Sequence, residues 1–172
     1  MKKHIFLTGE VQIGKSTIIS KAVDMLGITP AGFRTKGAHY QPDGSSDVVI
    51  YPAEKTPEEG YAAAHRSPTG KTVFTEIFNT FGTIYLKRPA ELILMDELGY
   101  MESSADEFQM AVFETLDGET PVLGVIRNKS TPFLDAVRKR DDIILITVTE
   151  QNRDFIPEKI VYFINGIRQG RA

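Results

Sequence analysis

The 172 residues, 41% hydrophobic and 25% charged, suit one domain spanning 1–172, with no repeat and no low-complexity tract. The absence of cysteine excludes disulfides, cysteine-ligated zinc and thiol catalysis, and His4, His39 and His65 have no metal-ligand spacing. A net charge of −3 argues against nucleic acid as the main partner; no apolar run approaches the ~18 residues of a membrane span or the core of a signal peptide, so the cytoplasm is expected.

The first apolar run, Ile5-Phe6-Leu7, reads as a buried strand that ends at a glycine loop. Ile18, Ile19, Ala22, Val23 and Leu26 then recur at helical spacing, and Gly27 stands where a C-cap belongs. A second strand is predicted over 31–36. The turn signal Pro42-Asp43-Gly44-Ser45 precedes Asp47-Val48-Val49-Ile50-Tyr51, which predicts a hairpin excursion after that strand. Residues 52–71 hold Pro52, Pro57, Gly60, Pro68 and Gly70 and read as loop. A helix is predicted over 73–86, with Phe74, Ile77, Phe78, Phe81 and Tyr85 on its buried side as core rather than as a base-stacking platform. Leu92-Ile93-Leu94-Met95 is a continuous apolar strand. Ser104-Ala105-Asp106-Glu107 reads as a capping box opening a helix that buries Phe108, Val112 and Leu116. Strands over 122–126 and 143–148 follow. The last helix buries Ile156, Ile160, Phe163, Ile164 and Ile167, with Pro157 tolerated in its first turn. Short strands alternating with helices predict a three-layer α/β fold with a mainly parallel central sheet.

Gly9-Glu10-Val11-Gln12-Ile13-Gly14-Lys15-Ser16 matches G-x-x-x-x-G-K-[ST] at each specified position. A polyphosphate is best held by a ring of backbone N–H groups, and glycines at both ends let the chain curl around it. The helix that follows, entered through Ser16 and Thr17, offers free N–H groups and its positive end to the same anion. Lys15 supplies a full charge at the β- and γ-phosphates, and the Ser16 hydroxyl is a ligand for Mg²⁺. Gly70-Lys71-Thr72 lacks the upstream glycine, since position 65 is His65, and reads as loop.

The second pattern is Leu92-Ile93-Leu94-Met95-Asp96-Glu97, an apolar strand ending in two acids, the form of a Walker B segment. Asp96 is expected at the carboxyl edge of the sheet beside the phosphate loop, as a Mg²⁺ ligand. Glu97 is expected to orient and deprotonate an attacking water.

These stretches, with Ala31-Gly32-Phe33-Arg34-Thr35, Met95 through Glu102, Pro121 through Ile126 and Thr147 through Asp154, resemble the small nucleoside-triphosphatase family sometimes called cancer-related NTPase. The Asp-Glu-Leu-Gly-x-Met-Glu stretch is the most specific. The resemblance implies a RecA-like P-loop sheet with the phosphate-loop strand central and the Walker B strand further out. It also implies Mg²⁺-dependent hydrolysis of several nucleoside triphosphates, ATP and GTP among them, with little base selectivity. Asn152 and Arg153 lie where family members approach the base or ribose. This chain departs from the family at Glu10, Val11 and Gln12, where a proline and a third glycine are usual, and at Tyr100, where lysine is usual; residues 52–90 match poorly.

Arg127 ends a strand at the same sheet edge, as a sensor of the γ-phosphate or a surface salt bridge, and Arg138-Lys139-Arg140 lies where nucleotide kinases carry an arginine-bearing lid. Arg138 and Arg140 are therefore the expected catalytic arginines, beside Lys15 and Glu97. Hydrolysis with water as acceptor is the first reading. Transfer of the γ-phosphate to a small acceptor, and a nucleotide-dependent switch, are the alternatives. No pattern sets an oligomeric state.

Overall fold

The computed structural model describes residues 1–170. In chain order the elements are β1 (His4–Thr8), α1 (Lys15–Leu26), β2 (Ala31–Ala38), β3 (Ser46–Pro52), β4 (Tyr61–Ser67), β5 (Gly70–Val73), α2 (Thr75–Ile77), α3 (Thr83–Leu86), β6 (Ile93–Leu98), α4 (Asp106–Asp117), β7 (Val122–Ile126), α5 (Pro132–Arg138), β8 (Ile143–Thr147) and α6 (Ile156–Arg168). One sheet runs β5-β4-β3-β2-β6-β7-β1-β8. β2, β6, β7, β1 and β8 pair in parallel, while β3, β4 and β5 continue the sheet as an antiparallel meander.

Strict alternation along β1 explains the three layers. Phe6 points into a core built with Phe33, Met95, Phe108 and Phe133, covered by α3, α4 and α5. Ile5 and Leu7 point to the other face, where Ile18, Ile19 and Ala22 of α1 and Ile156, Ile160 and Ile164 of α6 cover them. Inner parallel strands are buried on both faces, hence their unbroken apolar runs. Their carboxyl ends share one edge, and β7 separates β1 from β6 there, which opens a crevice between the chain segments that leave them.

Four expectations change. β1 lies one strand from the β8 edge rather than at the centre, with β6 further in. The expected loop 52–71 contains β4 and the first half of β5, and Gly70-Lys71-Thr72 is strand. Tyr61-Ala62-Ala63-Ala64 has weak strand propensity, but its pairing with β3 buries Ala63 and Ala64 fully. The helix predicted from 73 starts at Thr75, because Val73 completes β5 and Phe74 is exposed; its middle is a π-helical turn, Phe78–Gly82. Phe78 and Tyr85 are buried as expected, and Phe81 stacks on Tyr61 at 3.6 Å. Finally, Ser104 belongs to a 3-10 turn (Met101–Ser104), and α4 is capped by Ala105, which has no side-chain acceptor. The free N–H of Phe108 is taken instead by Asn79 Oδ1 of the π-turn at 3.1 Å. Among the described residues no helix is long and apolar enough to cross a membrane.

Gly32 fixes how closely β2 approaches β6. Its φ of +95° is left-handed, and a Cβ there would lie 2.0 Å from the Leu94 carbonyl oxygen. Gly32→Ala adds backbone strain to a clash that neither strand can relieve, so a loss of about 3 kcal/mol or more is expected from urea unfolding. An unchanged midpoint would contradict this packing.

Candidate active site

The segment leaving β1 turns back on itself through Gln12, at φ 63°, and Gly14, at φ 107°. Gly14 is the N-cap of α1 and no side chain caps that end among the described residues, so the first N–H groups of the helix face the crevice. Gln12 holds its left-handed conformation without being glycine. Lys15 folds across the loop and donates to the carbonyls of Gly9 (3.0 Å) and Glu10 (2.5 Å). Burial lowers its pKa, and the charges of Glu97, Asp96 and Glu10 oppose that shift. The cleft has a volume of about 460 Å³; Gly9 through Gln12 and Gly14 through Thr17 form one wall, and Glu97, Arg127, Asn128 and Lys129 the other. Ile13 instead packs against the α1–α6 core.

Asp96, four residues into β6, is only 4% exposed. Its Oδ1 accepts from Ser16 Oγ at 3.0 Å and its Oδ2 from Arg34 Nη1 at 3.1 Å. Burial raises its pKa, and Arg34 and the Ser16 hydroxyl pull it back. The Asp96–Glu97 peptide is cis, and the pairing with β7 shifts register between Asp96 and Leu98. Thr35 Oγ1 brackets that peptide, donating to the Asp96 carbonyl (3.4 Å) and accepting the Glu97 N–H (3.3 Å). Glu97 turns toward the cleft, where its Oε1 accepts from Arg127 Nε at 2.5 Å. Arg127 is anchored by its own N–H on the Leu98 carbonyl at 2.9 Å.

Ser16 Oγ and Asp96 Oδ1 are hard oxygen donors set side by side at the head of α1. Magnesium is ordinarily held by one or two carboxylates together with substrate phosphates, not by an all-protein cage. Among the described residues no cluster of three or more acids, histidines or cysteines forms such a cage. The pair therefore fits a magnesium ion that shares its ligands with a bound polyphosphate.

Other sequence-predicted residues lie elsewhere. Arg140 sits at the opposite edge of the sheet, where β8 begins, bound to Asp142 (2.9 and 2.6 Å), Asp117 (2.8 Å) and the Leu116 carbonyl (3.0 Å). Arg138 pairs with Asp135 at 2.9 Å and donates to the Arg127 carbonyl, bracing the segment between β7 and α5 without lining the cleft. Asn152 closes its own turn, accepting the Thr149 N–H (2.8 Å) and donating to the Thr147 carbonyl (2.9 Å). Arg153 is exposed beside it, and neither residue lines the cleft. The structure adds Arg34, Thr35, Asn128 and Lys129 to the site. It also sets Tyr100 between Lys71, whose Nζ lies 4.1 Å from the ring centre, and Arg127, at 6.0 Å. Arg34 carried no signal of this pairing in the sequence, since Asp96 lies 62 positions away and meets it only through the pairing of β2 with β6.

Known proteins resemble this chain in sequence and in fold. A family model described as NTPase matches residues 4–161. Nucleoside-triphosphatase THEP1 of Thermofilum pendens is 32% identical over 172 residues, covering 92% of this chain and 93% of the relative. The protein of that name from Natranaerobius thermophilus is 27% identical over 176 residues, covering 92% and 94%. Among solved structures, THEP1 from the hyperthermophile Aquifex aeolicus superposes with a TM-score of 0.77 at 25% identity, over 94% of this chain and 98% of that one. A human cancer-related nucleoside triphosphatase superposes with a TM-score of 0.76 at 25% identity, over 95% and 98%.

The Arg34–Asp96 pair generates a pH-dependent prediction. A carboxyl whose pKa is raised by folding loses stability as pH rises, because the unfolded chain gives up the proton first. Arg34→Ala removes the cation that offsets this effect. The expected loss is about 3 kcal/mol at pH 8, where a buried charge is left unpaired, and less at pH 5, because burial without the Arg34 cation favours the uncharged carboxyl as pH falls. Denaturant midpoints of the variant at the two pH values measure it; a pH-independent loss would contradict the pairing.

Proposed function

The chain belongs to this NTPase family and is a nucleoside-triphosphatase, and from that premise we propose magnesium-dependent hydrolysis in which Glu97 is the general base. The observation that carries the reading is the meeting of three parts in one cleft. These are the loop Gly9 to Ser16, the hydroxyl of Ser16 with the buried Asp96 bonded behind it, and the Glu97–Arg127 pair.

The N–H groups at the start of α1 and of the loop receive the phosphates, and Lys15 exchanges the Gly9 and Glu10 carbonyls for β- and γ-phosphate oxygens. Ser16 and Asp96 would hold magnesium, which when bound neutralises charge on the phosphates. Glu97 holds the attacking water and takes its proton as the water oxygen bonds to the γ-phosphorus. The bond from that phosphorus to the β-phosphate bridging oxygen breaks, and NDP and phosphate leave. Arg127 orients the Glu97 carboxylate. Of the three arginines that sequence offered for the charge on the γ-phosphate, Arg127, Arg138 and Arg140, it is the one that lines the cleft. Phosphates are common to all nucleoside triphosphates, so recognition through them supports broad base tolerance, ATP and GTP included. The transfer reading loses its lid, because Arg140 is held by Asp117 and Asp142 at the far edge. The reading implies the cytoplasm, where these substrates are kept.

Glu97→Gln is expected to keep nucleotide and magnesium affinity and to lower kcat by about 10²- to 10⁴-fold, the usual worth of a general base. Asp96→Asn should weaken nucleotide and metal binding together. Steady-state phosphate release alongside calorimetric titration separates the two; wild-type turnover by the Glu97 variant would refute the assignment.

A further inference from the structure

Glu102 lies in the 3-10 turn that follows the site, and it is wholly buried, at 0% exposure. Its Oε2 accepts the Gly99 N–H at 3.0 Å, and its Oε1 has no hydrogen-bond partner among the described residues. Gln109 of α4 pins the backbone here, donating to the Glu102 carbonyl at 2.8 Å. A buried acid with one donor and an orphaned oxygen calls for an explanation. Gly99 supplies it: a Cβ on this residue would stand 3.5 Å from Arg127 Cδ and 3.6 Å from Glu102 Oε2. The Gly99 backbone, the Arg127 stem and the Glu102 carboxyl thus meet at one point, within the turn that presents Glu97. The Leu98 carbonyl, which anchors the Arg127 N–H, belongs to the same turn.

We propose that Glu102 is a positioning residue for hydrolysis: by accepting the Gly99 N–H it fixes the turn that sets Glu97 against Arg127. The inference rests on the reading of Glu97 as the base.

The charged groups facing Glu102 are Glu97 of β6, Arg127 after β7 and Lys71 of β5, and none forms an ion pair with it among the described residues. Burial pushes its carboxyl up to about 7. The uncharged acid is therefore the form the site accommodates, since an ionised carboxylate with one donor is costly to bury. Ionisation puts a second negative charge beside Glu97 and makes the two acids compete for Arg127. The working arrangement is thereby lost as pH rises through neutrality.

The test is the pH dependence of kcat and KM for the wild-type protein, Glu102→Gln and Glu102→Ala. The wild-type kcat should fall on the alkaline side of about pH 7 while KM holds. Glutamine keeps an uncharged acceptor for the Gly99 N–H, so that variant should match the wild-type rate at pH 6 and not fall above neutrality. Alanine should lose about 10²-fold in kcat across the range, the scale of a misplaced catalytic group, with KM little changed. A wild-type profile flat through neutrality, a glutamine variant with the wild-type alkaline fall, or an alanine variant with full kcat would each overturn the proposal. If the alanine variant does not fold, the glutamine profile decides. Glu97→Gln, run in parallel, separates the two readings. Full activity there removes the base assignment itself, whereas an inactive Glu97 variant beside an unaltered Glu102→Gln profile removes this inference alone.

Discussion

A carboxylate at the end of an inner strand has to be paired, and the molecule is arranged around the pairing of Asp96. Burial alone pushes the pKa of this group up and disfavours its charged form. Ser16 reaches it from α1 and Arg34 from β2, so α1, β6 and β2 are tied at one point. That tie depends on backbone spacing. Gly32 lets β2 lie against β6 closely enough for Arg34, two residues on, to face Asp96 in register. With Ser16 and Asp96 in place, the hydroxyl and carboxylate would supply two corners of the proposed magnesium site, and the phosphates of a substrate would supply others.

The three acids between Asp96 and Glu102 share one segment and occupy three environments. Asp96 is buried between a hydroxyl and a guanidinium. Glu97, one residue on, faces the cleft with Arg127. Glu102 is enclosed with a single backbone donor, its second oxygen orphaned. Local backbone geometry separates acids that are neighbours in sequence, and separated environments let carboxyls in one site take different roles. Lys15 completes the electrostatics from the other wall. Its bonds to Gly9 and Glu10 hold the loop in its curled form and place the ammonium beside the space a phosphate would enter.

The features legible in the sequence are those encoded over short stretches. The phosphate loop, the apolar strands, the Gly27 cap and the two acids at the end of β6 each follow from residues within about one turn or strand of one another. What escaped depends on partners brought together by the sheet. Arg34 and Asp96 are 62 positions apart, and Glu97 and Arg127 are 30 apart, so their pairing needs the order β2-β6-β7, which periodicity does not encode. Arg140 reads as a lid residue by its place between two strands, yet that place is at the edge where strands start. β4 was hidden because three alanines among prolines and glycines carry little strand signal until β3 lies beside them. The cap of α4 was misread for a related reason: the acceptor is Asn79, 29 residues upstream, and not the serine next to the helix.

The central claim is that this cleft is assembled for a magnesium–triphosphate complex before one arrives. A crystal structure with Mg²⁺ and a non-hydrolysable nucleoside triphosphate analogue measures it directly. The account predicts phosphates on the N–H groups of the loop and of the start of α1, with Lys15 Nζ moved from the Gly9 and Glu10 carbonyls to the γ-phosphate. The metal should lie between Ser16 and Asp96, and Arg34 should remain on Asp96. A nucleotide seated elsewhere, or a metal with neither Ser16 nor Asp96 among its ligands or their bridging waters, would contradict it.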